Sequence, residues 1–481
     1  MNSSTQRQVW QWYYRESFYR FFLRAWKILE PTMQLVDNWH IQYLCNTIQD
    51  EVMRVVSKQP RTADLVINVP PATTKSSIVT VAAHPWAWIV EPSLKIITAS
   101  YADTLAHYHA GKSRDIILSD WYQDLFGDLY ALRLDVNKKS EFANDKQGMR
   151  YAVGSGGSAI GRHADIQLCD DPINPKKSAS QTELETINEW WDVSMSGRLT
   201  DVNVSTRILV MQRLATNDLS GHCLAKGYRH ICLPAELGDN VQPAALAAHY
   251  TDGLLDPVRL GREALDMQRT ALGTLGYVGQ YLQRPVAAGG NMIKGSWFRE
   301  FTMTALHADA EEAKTPLVWH FTVDGAYTDK EKNDATALAA WCVWRHNLYI
   351  REVSAVRLEM PELLRYLPEF VNRNGYTRHS KVYIEPKANG MSVAQMLRRN
   401  TQLNIILDTA PTTDKRARVA GCSPYIEAGR VHLLQGAPYV KPFTDEVCAF
   451  PLGDHDDQVD VLTMAVDKAI TSTRSAQKWH G

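Results

Sequence analysis

The sequence predicts an α/β protein of two domains, a parallel-sheet domain followed by a mixed-sheet one. Three observations carry this. Between residues 65 and 233, short near-continuous apolar runs alternate with longer amphipathic ones, the pattern of βαβ units around a buried parallel sheet. From about residue 300, three apolar runs follow one another with short links, as in an antiparallel meander, before strand and helix alternate again. Between these regions, LGDNVQPAALAAHYTDGLLDP (237–257) and RPVAAGGNMIKG (284–295) have the Pro, Ala and Gly content of a connector. The expected boundaries are 1–240 for the first domain, 241–300 for the linker and 301–481 for the second.

In order, the strand-like runs of the first domain are LVINV (65–69), LKIITASY (94–101), ADIQLCD (164–170), TRILVMQ (206–212) and YRHICLP (228–234). Helical stretches fall between them at 75–84, 102–119, 181–199 and 217–227. The second domain reads LVWHFTVD (317–324), TALAAWCVW (336–344) and LYIREVSAV (348–356), then a helix at 361–371. After it come KVYIEP, ANGMSVAQMLRR, LNIILD, KRARVAGCSPYIEAG, RVHLL and a last helix from near 456. Residues 1–30 carry aromatics from Trp10 to Trp26 among Arg and Glu. They read either as a helix packing its aromatic face on the first domain or as a partner-docking element.

With 481 residues, 45% hydrophobic and 22% charged, the composition is globular and excludes a disordered or fibrous chain. No apolar run approaches the ~18 residues of a membrane span, and the N-terminus lacks the apolar core of a signal peptide. A soluble protein of a cytoplasm, without membrane association, is expected. Seven scattered cysteines, an odd number, fit reduced thiols. The net charge of -1 leaves nucleic-acid binding to local patches. Candidates are Lys138-Lys139, Lys176-Lys177, Arg398-Arg399 and Lys415-Arg416-Ala417-Arg418, each of which alone reads first as solvated surface.

After the first strand comes VPPATTKSS (69–77), where a phosphate loop would sit. The strict pattern places glycines six before and one before the lysine, because backbone N–H groups must close around phosphate oxygens. Val69 and Thr74 stand there instead. What remains is Lys75 to reach the β/γ-phosphates, Ser76 as a Mg²⁺ ligand, and a helix N-terminus that favours anions. IQLCDDP (166–172) adds an apolar strand ending in two carboxylates and a proline, as a Walker B strand does. Asp170 is the candidate for the Mg²⁺ shell and Asp171 for orienting the attacking water. A turn cap is the alternative. Gly154-Ser155-Gly156-Gly157-Ser158-Ala159 matches GxGxxA but runs into a strand instead of opening a helix, so it reads as a glycine loop. Arg162 beside it is a candidate to stabilise charge on a transferring phosphate, or a plain surface arginine. His222, Cys223, His230 and Cys232 lack zinc spacing and read as core.

In the second domain Asp324 ends the first strand, Glu385 ends the strand after the first helix, and Asp456 and Asp457 in DHDDQVD open the last helix. Carboxylates converging from separate elements are what a two-metal nuclease needs. The order βββαβα, with acids at these element ends, resembles the ribonuclease H-like fold of nucleases and integrases.

Taken together, the chain from about residue 35 to 470 resembles the large terminase subunit of tailed bacteriophages or of a prophage. The motifs that carry the resemblance are VPPATTKSS for the PPxxxKS form of Walker A, SYADTLAHYHAGKSRDII, LCDDP for Walker B and ILVMQRLATNDLSG for a coupling motif. VGQYLQRP follows in the linker, then VDGA, IEPKANG and DHDDQVD in the nuclease. The resemblance implies a P-loop NTPase domain followed by a ribonuclease H-like nuclease. It implies an ATP-driven motor that moves double-stranded DNA into a procapsid and a metal-dependent endonuclease that cuts the concatemer. Implied cofactors are ATP and Mg²⁺ or Mn²⁺, with two ions at the nuclease site. Implied partners are double-stranded DNA, the portal protein, a small terminase subunit and further copies in a ring on the capsid, in the cytoplasm of a bacterial host.

By the same resemblance, Thr73, Thr74, Lys75, Ser76 and Ser77 bind phosphate and Mg²⁺, and Asp170 and Asp171 serve Walker B and water activation. Gln212 and Arg213 report hydrolysis, Arg162 acts on a neighbouring subunit, and Trp39 and His40 lie by the adenine. Asp324, Glu385 and Asp456 or Asp457 hold the nuclease metals. Relatives commonly carry Arg and Gly in the loop (PPRHGKS), where this chain has Ala72 and Thr74, and Asp171 replaces the usual Walker B Glu. The missing arginine removes a charge, and Thr74 disfavours a left-handed backbone. Weak ATP binding, or hydrolysis only in the assembled ring, is the corresponding expectation. The alternative function is a nuclease or integrase-like enzyme whose degenerate ATPase domain only binds DNA or partners.

Overall fold

A computed structural model of the chain describes residues 3–159, 161–286, 292–325, 335–386, 390–408, 414–453 and 455–477, with side chains from residue 5 to residue 471. The chain divides into two compact units, Met1–Ala287 and Ala288–Gly481. Among the described residues no helix is long and apolar enough to cross a membrane.

The strands of the first unit are β1 (Leu65–Asn68), β2 (Lys95–Ser100), β3 (Leu132–Asn137), β4 (Glu141–Asn144), β5 (Met149–Gly154), β6 (Ile166–Asp170), β7 (Thr206–Met211) and β8 (Arg229–Cys232). They form one sheet in the order β3-β4-β5-β2-β6-β7-β1-β8. From β5 to β8 every pairing is parallel, as the apolar runs predict, and β3 and β4 add an antiparallel edge. β3 to β5 were not among the expected strands.

Alternate residues of the central strands feed two cores. Leu65, Ile67, Ile208 and Val210 pack with helices Phe18–Leu29, Trp39–Val56 and Asp103–Leu118 on one face. Val66, Leu209 and Met211 pack with Leu184, Trp190, Trp191 and Leu219 on the other. This period of two is what burial on both faces requires.

Helix Phe18–Leu29 is capped by Ser17, whose hydroxyl accepts from Arg20 N–H, and buries Phe18, Phe21, Phe22, Ala25 and Leu29. Those five lie along one helical stripe, so its aromatic face packs on the domain. Trp10 and Trp12 of the preceding helix, Ser3–Arg15, stay exposed. Residues 241–286, assigned by composition to a connector, fold with the first unit. Helix Arg262–Gln280 supplies Leu265 and Tyr277 to a core with Ala235, Leu254, Leu260 and Tyr281.

The second unit has β9 (Arg299–Phe301), β10 (His320–Asp324), β11 (Thr336–Trp344), β12 (Asn347–Val356), β13 (Val382–Ile384), β14 (Ile405–Leu407) and β15 (Val431–Leu434). Their order is β14-β13-β10-β11-β12-β15-β9, with the expected antiparallel meander β10-β11-β12 at the centre and parallel strands on both sides. Helices cover both faces. Ala337, Ala339 and Trp341 pack with helices Lys415–Glu427, Val440–Ala449 and Asp457–Gln477. Leu338, Ala340 and Cys342 pack with Met303–Glu312, Met360–Arg373 and Gly390–Asn400.

Candidate active sites

Strand β1 is buried throughout and ends at Asn68, whose amide donates to Met211 O (3.1 Å) and whose oxygen accepts from Ser220 Oγ and His230 Nε2 (both 2.8 Å). These bonds tie the strand end to β7, β8 and the following helix. The chain then turns, with Thr73 Oγ1 donating to Pro70 O (2.7 Å), and becomes helical at Lys75. Ala72 and Thr74 adopt φ of +63° and +66°. The loop therefore uses the left-handed backbone that glycine adopts freely, but with residues that resist it.

Two contacts grip it there. Buried His40 bonds Thr73 O through Nε2 (3.2 Å), and Arg259 Nη1 donates to Thr74 Oγ1. Burial lowers the His40 pKa to about 4, so the ring is neutral. Asn38 Nδ2 donates to Nδ1 (3.0 Å), which leaves the proton on Nε2 for Thr73.

Parallel register of β6 between β2 and β7 delivers Asp170 and Asp171 beside this loop. Lys75 Nζ reaches Asp171 at 2.8 and 2.9 Å and also donates to Gln212 Oε1, while Gln212 N–H donates to Asp171 Oδ1 (3.2 Å). Asp171 has φ +43°, held by backbone bonds to Tyr101 and Val210 on both sides. Burial raises the pKa of both carboxyls, and Lys75 opposes it. Asp170 interacts with Ser76 and Thr80, yet its buried Oδ1 has no hydrogen-bond partner. A buried, uncoordinated carboxylate oxygen beside a serine hydroxyl fits a Mg²⁺ ion, which takes oxygen ligands.

Other expected residues have partners of their own. Arg162 is paired bidentately with Glu141 (2.8 and 2.9 Å) over the Tyr151 ring, partners that are not phosphate-loop residues. The Arg213 guanidinium is held by buried Asp218 (3.0 Å) and the carbonyls of Ala215 and Thr216, so it shapes the loop before helix Leu219–Ala225. Trp39 stacks on His249 at 5.1 Å. His222 is bound to Asp192, His230 to Asn68, and Cys223 and Cys232 are buried. These are core and surface roles, as their spacing implies.

In the second unit, Val323 of β10 lies opposite Ile384 of β13, so Asp324 and Glu385 leave neighbouring parallel strands side by side. Glu385 N–H donates to Val323 O (3.3 Å). Helix Asp457–Gln477 crosses this sheet face, with Thr322 Oγ1 donating to Val461 O (3.2 Å). The third acid brought in by that helix is Asp460, not Asp456 or Asp457. The Asp324 carboxyl is pushed up to about 9, first by burial and then by its neighbours Glu385 and Asp460.

Asp456 is half-exposed and pairs with Lys415 (2.6 Å), while Asp457 accepts from Ala335 N–H (3.4 Å) at the helix start. Helix geometry explains the shift. Asp460 lies inside the apolar run Val459-Asp460-Val461-Leu462 and must be buried, whereas Asp456 and Asp457 precede it. An acid within such a run is the signal that could have found it, since a buried charge needs partners. Those partners are Lys415 (2.8 Å) and Arg418 (2.5 Å) from helix Lys415–Glu427, and Arg418 also lies 3.9 Å from Glu385. Part of the expected basic patch is thus committed to the acid cluster. Among the described residues no three His, Cys, Asp or Glu are already arranged around a cation position. Three carboxylates gathered from separate elements nevertheless supply the hard oxygen donors that such an ion takes, and binding it requires them deprotonated.

Of the motifs read from sequence, Ala326, the residues 387–389 and Asp454 lie outside the described residues.

Residues 322–469 match the family model for the terminase RNase H-like domain. No curated protein matches the chain. Among solved structures, the large terminase of a thermophilic bacteriophage in complex with ADP is similar at 11% identity and a TM-score of 0.48, covering 87% of this chain and 98% of that one. The large terminase of bacteriophage HK97 is similar at 12% identity and a TM-score of 0.36, covering 94% and 99%. The large terminase nuclease of the thermophilic phage G20c is similar at 12% identity and a TM-score of 0.27, covering 37% and 98%.

Proposed function

From the premise that residues 322–469 belong to the terminase RNase H-like domain family, we propose that the chain is a terminase large subunit. In this reading it is an ATP-driven motor that moves double-stranded viral DNA into a procapsid, and the endonuclease that cuts the concatemer. The observation that carries this is the pair of carboxylate sites on one chain. Lys75, Asp170, Asp171 and Gln212 gather at a phosphate loop, and Asp324, Glu385 and Asp460 gather at a nuclease centre.

In the first site Lys75 binds the β/γ-phosphates of ATP, with the loop N–H groups at Thr73 to Ser77 around them. Ser76 and Asp170 would hold Mg²⁺, which neutralises phosphate charge when bound. Asp171 orients the attacking water and accepts its proton. Gln212 touches both Lys75 and, through its N–H, Asp171. It is therefore placed to pass a change at either group to the Arg213–Asp218 loop. Arg162, half-buried and paired with Glu141 beside the glycine loop, would leave that partner to serve the site of a neighbouring copy in a ring.

In the second site Asp324, Glu385 and Asp460 would hold Mg²⁺ or Mn²⁺, one ion or two, which activates water and stabilises the leaving oxygen of the DNA backbone. Lys415 and Arg418 balance the buried acids and keep them facing the strand ends. Double-stranded DNA, a portal protein and a small subunit are the partners this function requires.

The test is direct. The purified chain should hydrolyse ATP faster with DNA present and should nick plasmid only with a divalent cation. No nucleotide binding at millimolar ATP, with metal-dependent cleavage intact, would favour the reading in which the first domain only docks DNA or protein.

A further inference from the structure

We propose that Arg259 is a positioning residue of the phosphate loop, holding Thr74 in the left-handed backbone that the loop needs and that its sequence disfavours. The proposal rests on the reading of that loop as a nucleotide site. Thr74 is β-branched and sits at φ +66°, a conformation that persists in such a residue only when its surroundings over-determine it. Its hydroxyl is bonded by Arg259 Nη1, from a segment 185 residues further along the chain.

Arg259 is itself fixed. Its Nε donates to Asp256 Oδ2 (3.0 Å), its Nη2 donates to Val36 O, and Asp256 is buried with Oδ1 accepting from Val258 and Arg259 N–H (3.2 and 3.1 Å). The guanidinium is a post anchored on sides other than the one that meets Thr74.

The same two segments grip the neighbouring peptide. Asn38 Nδ2 lies within hydrogen-bond distance of both Leu255 O (2.7 Å) and His40 Nδ1, and His40 holds Thr73 O. Residues 36–40 and 255–259 thus clamp the loop at Thr73 and Thr74, from the carbonyl on one side and the hydroxyl on the other. A glycine at 74 would take up this backbone without help. A threonine keeps it through Arg259, so a residue of the segment 255–259 sets the direction of the loop N–H groups that would face phosphate.

Four full-length proteins test this: wild type, Arg259→Gln, Thr74→Gly and the double variant, each titrated with a fluorescent ATP analogue and melted thermally. Loss of a charge-assisted hydrogen bond predicts that Arg259→Gln weakens nucleotide binding about tenfold or more. Thr74→Gly sets its own baseline for binding, and the double variant should bind like Thr74→Gly, with Arg259→Gln no longer costly. Equal loss on adding Arg259→Gln in both backgrounds would overturn the proposal, and so would no loss in either. Absence of nucleotide binding by wild type would remove the nucleotide reading instead. The melting temperatures would then still show whether Thr74→Gly rescues Arg259→Gln or leaves its effect unchanged, which decides the proposal.

Discussion

The Lys75 ammonium lies 2.8 Å from the Asp171 carboxylate, so the residue assigned to phosphate and the residue assigned to water bind each other. Nucleotide entry must exchange this ion pair for one between Lys75 and phosphate. Asp171→Asn removes the competing charge and the proton acceptor together. It should leave nucleotide affinity unchanged or higher and lower hydrolysis by about 10²–10⁴-fold, the range of general-base contributions. Steady-state ATPase rates and nucleotide titration read the two effects separately, and hydrolysis near the wild-type rate would take Asp171 out of that role.

Asp460, not its neighbours at the helix start, closes the cluster with Asp324 and Glu385. Asp460→Asn should reduce plasmid cleavage by at least about 100-fold, since even outer partners of a metal site commonly cost 10–100-fold. Asp456→Asn removes a half-exposed partner of Lys415 and should leave cleavage close to wild type. The reverse ranking in a plasmid-nicking assay would restore the acid at the helix N-terminus as the ligand.

The raised Asp324 carboxyl makes this centre pH-sensitive. Asp324 is pushed up to about 9 in the folded chain, against about 4 when unfolded. Between those values the folded state binds the extra proton, so its contribution to stability falls as pH rises through that window. A divalent cation needs the deprotonated carboxylate, so the rise in Tm on adding Mn²⁺ should grow from about pH 5.5 to about pH 8. Asp324→Asn should flatten both trends. A cation effect on Tm that does not change with pH would count against the assignment.

Asp218 is fully buried and accepts from Arg213 Nε and from the N–H groups of Leu214, Ala215 and Gly221. Asp218→Ala strands a largely buried guanidinium and three backbone donors. Removing one partner of a buried ion pair costs about 3–5 kcal/mol. Urea unfolding of the full chain should show a loss of that order in the transition of the first unit, with metal-dependent cleavage retained.

Much of this was legible where a local pattern and a fold rule coincide. Apolar runs ending in Asp170-Asp171, Asp324 and Glu385 mark strands that leave a buried sheet with a carboxylate at the tip, and neighbouring register then brings the tips together. What was not legible depends on partners far along the chain. Thr74 and Ala72 adopt left-handed backbone, and the bond that holds Thr74 comes from Arg259, in a stretch whose composition reads as connector. Residues 132–154 form strands at the sheet edge, where alternation is weak and glycine follows directly. Arg213 beside Gln212 looked like a second reporter of hydrolysis, but a buried Asp218 five residues on claims its guanidinium. Asp460 was hidden by two more conspicuous acids at a helix start. Its burial shows only when the helix period is laid over the apolar run that contains it.

Whether one chain carries two independent chemical centres is decided by a double dissociation. DNA-stimulated ATP hydrolysis and metal-dependent plasmid cleavage would be measured on wild type, Lys75→Ala and Asp324→Ala. Lys75→Ala should abolish hydrolysis and spare cleavage, while Asp324→Ala should abolish cleavage and spare hydrolysis. Both activities persisting in both variants would contradict that arrangement.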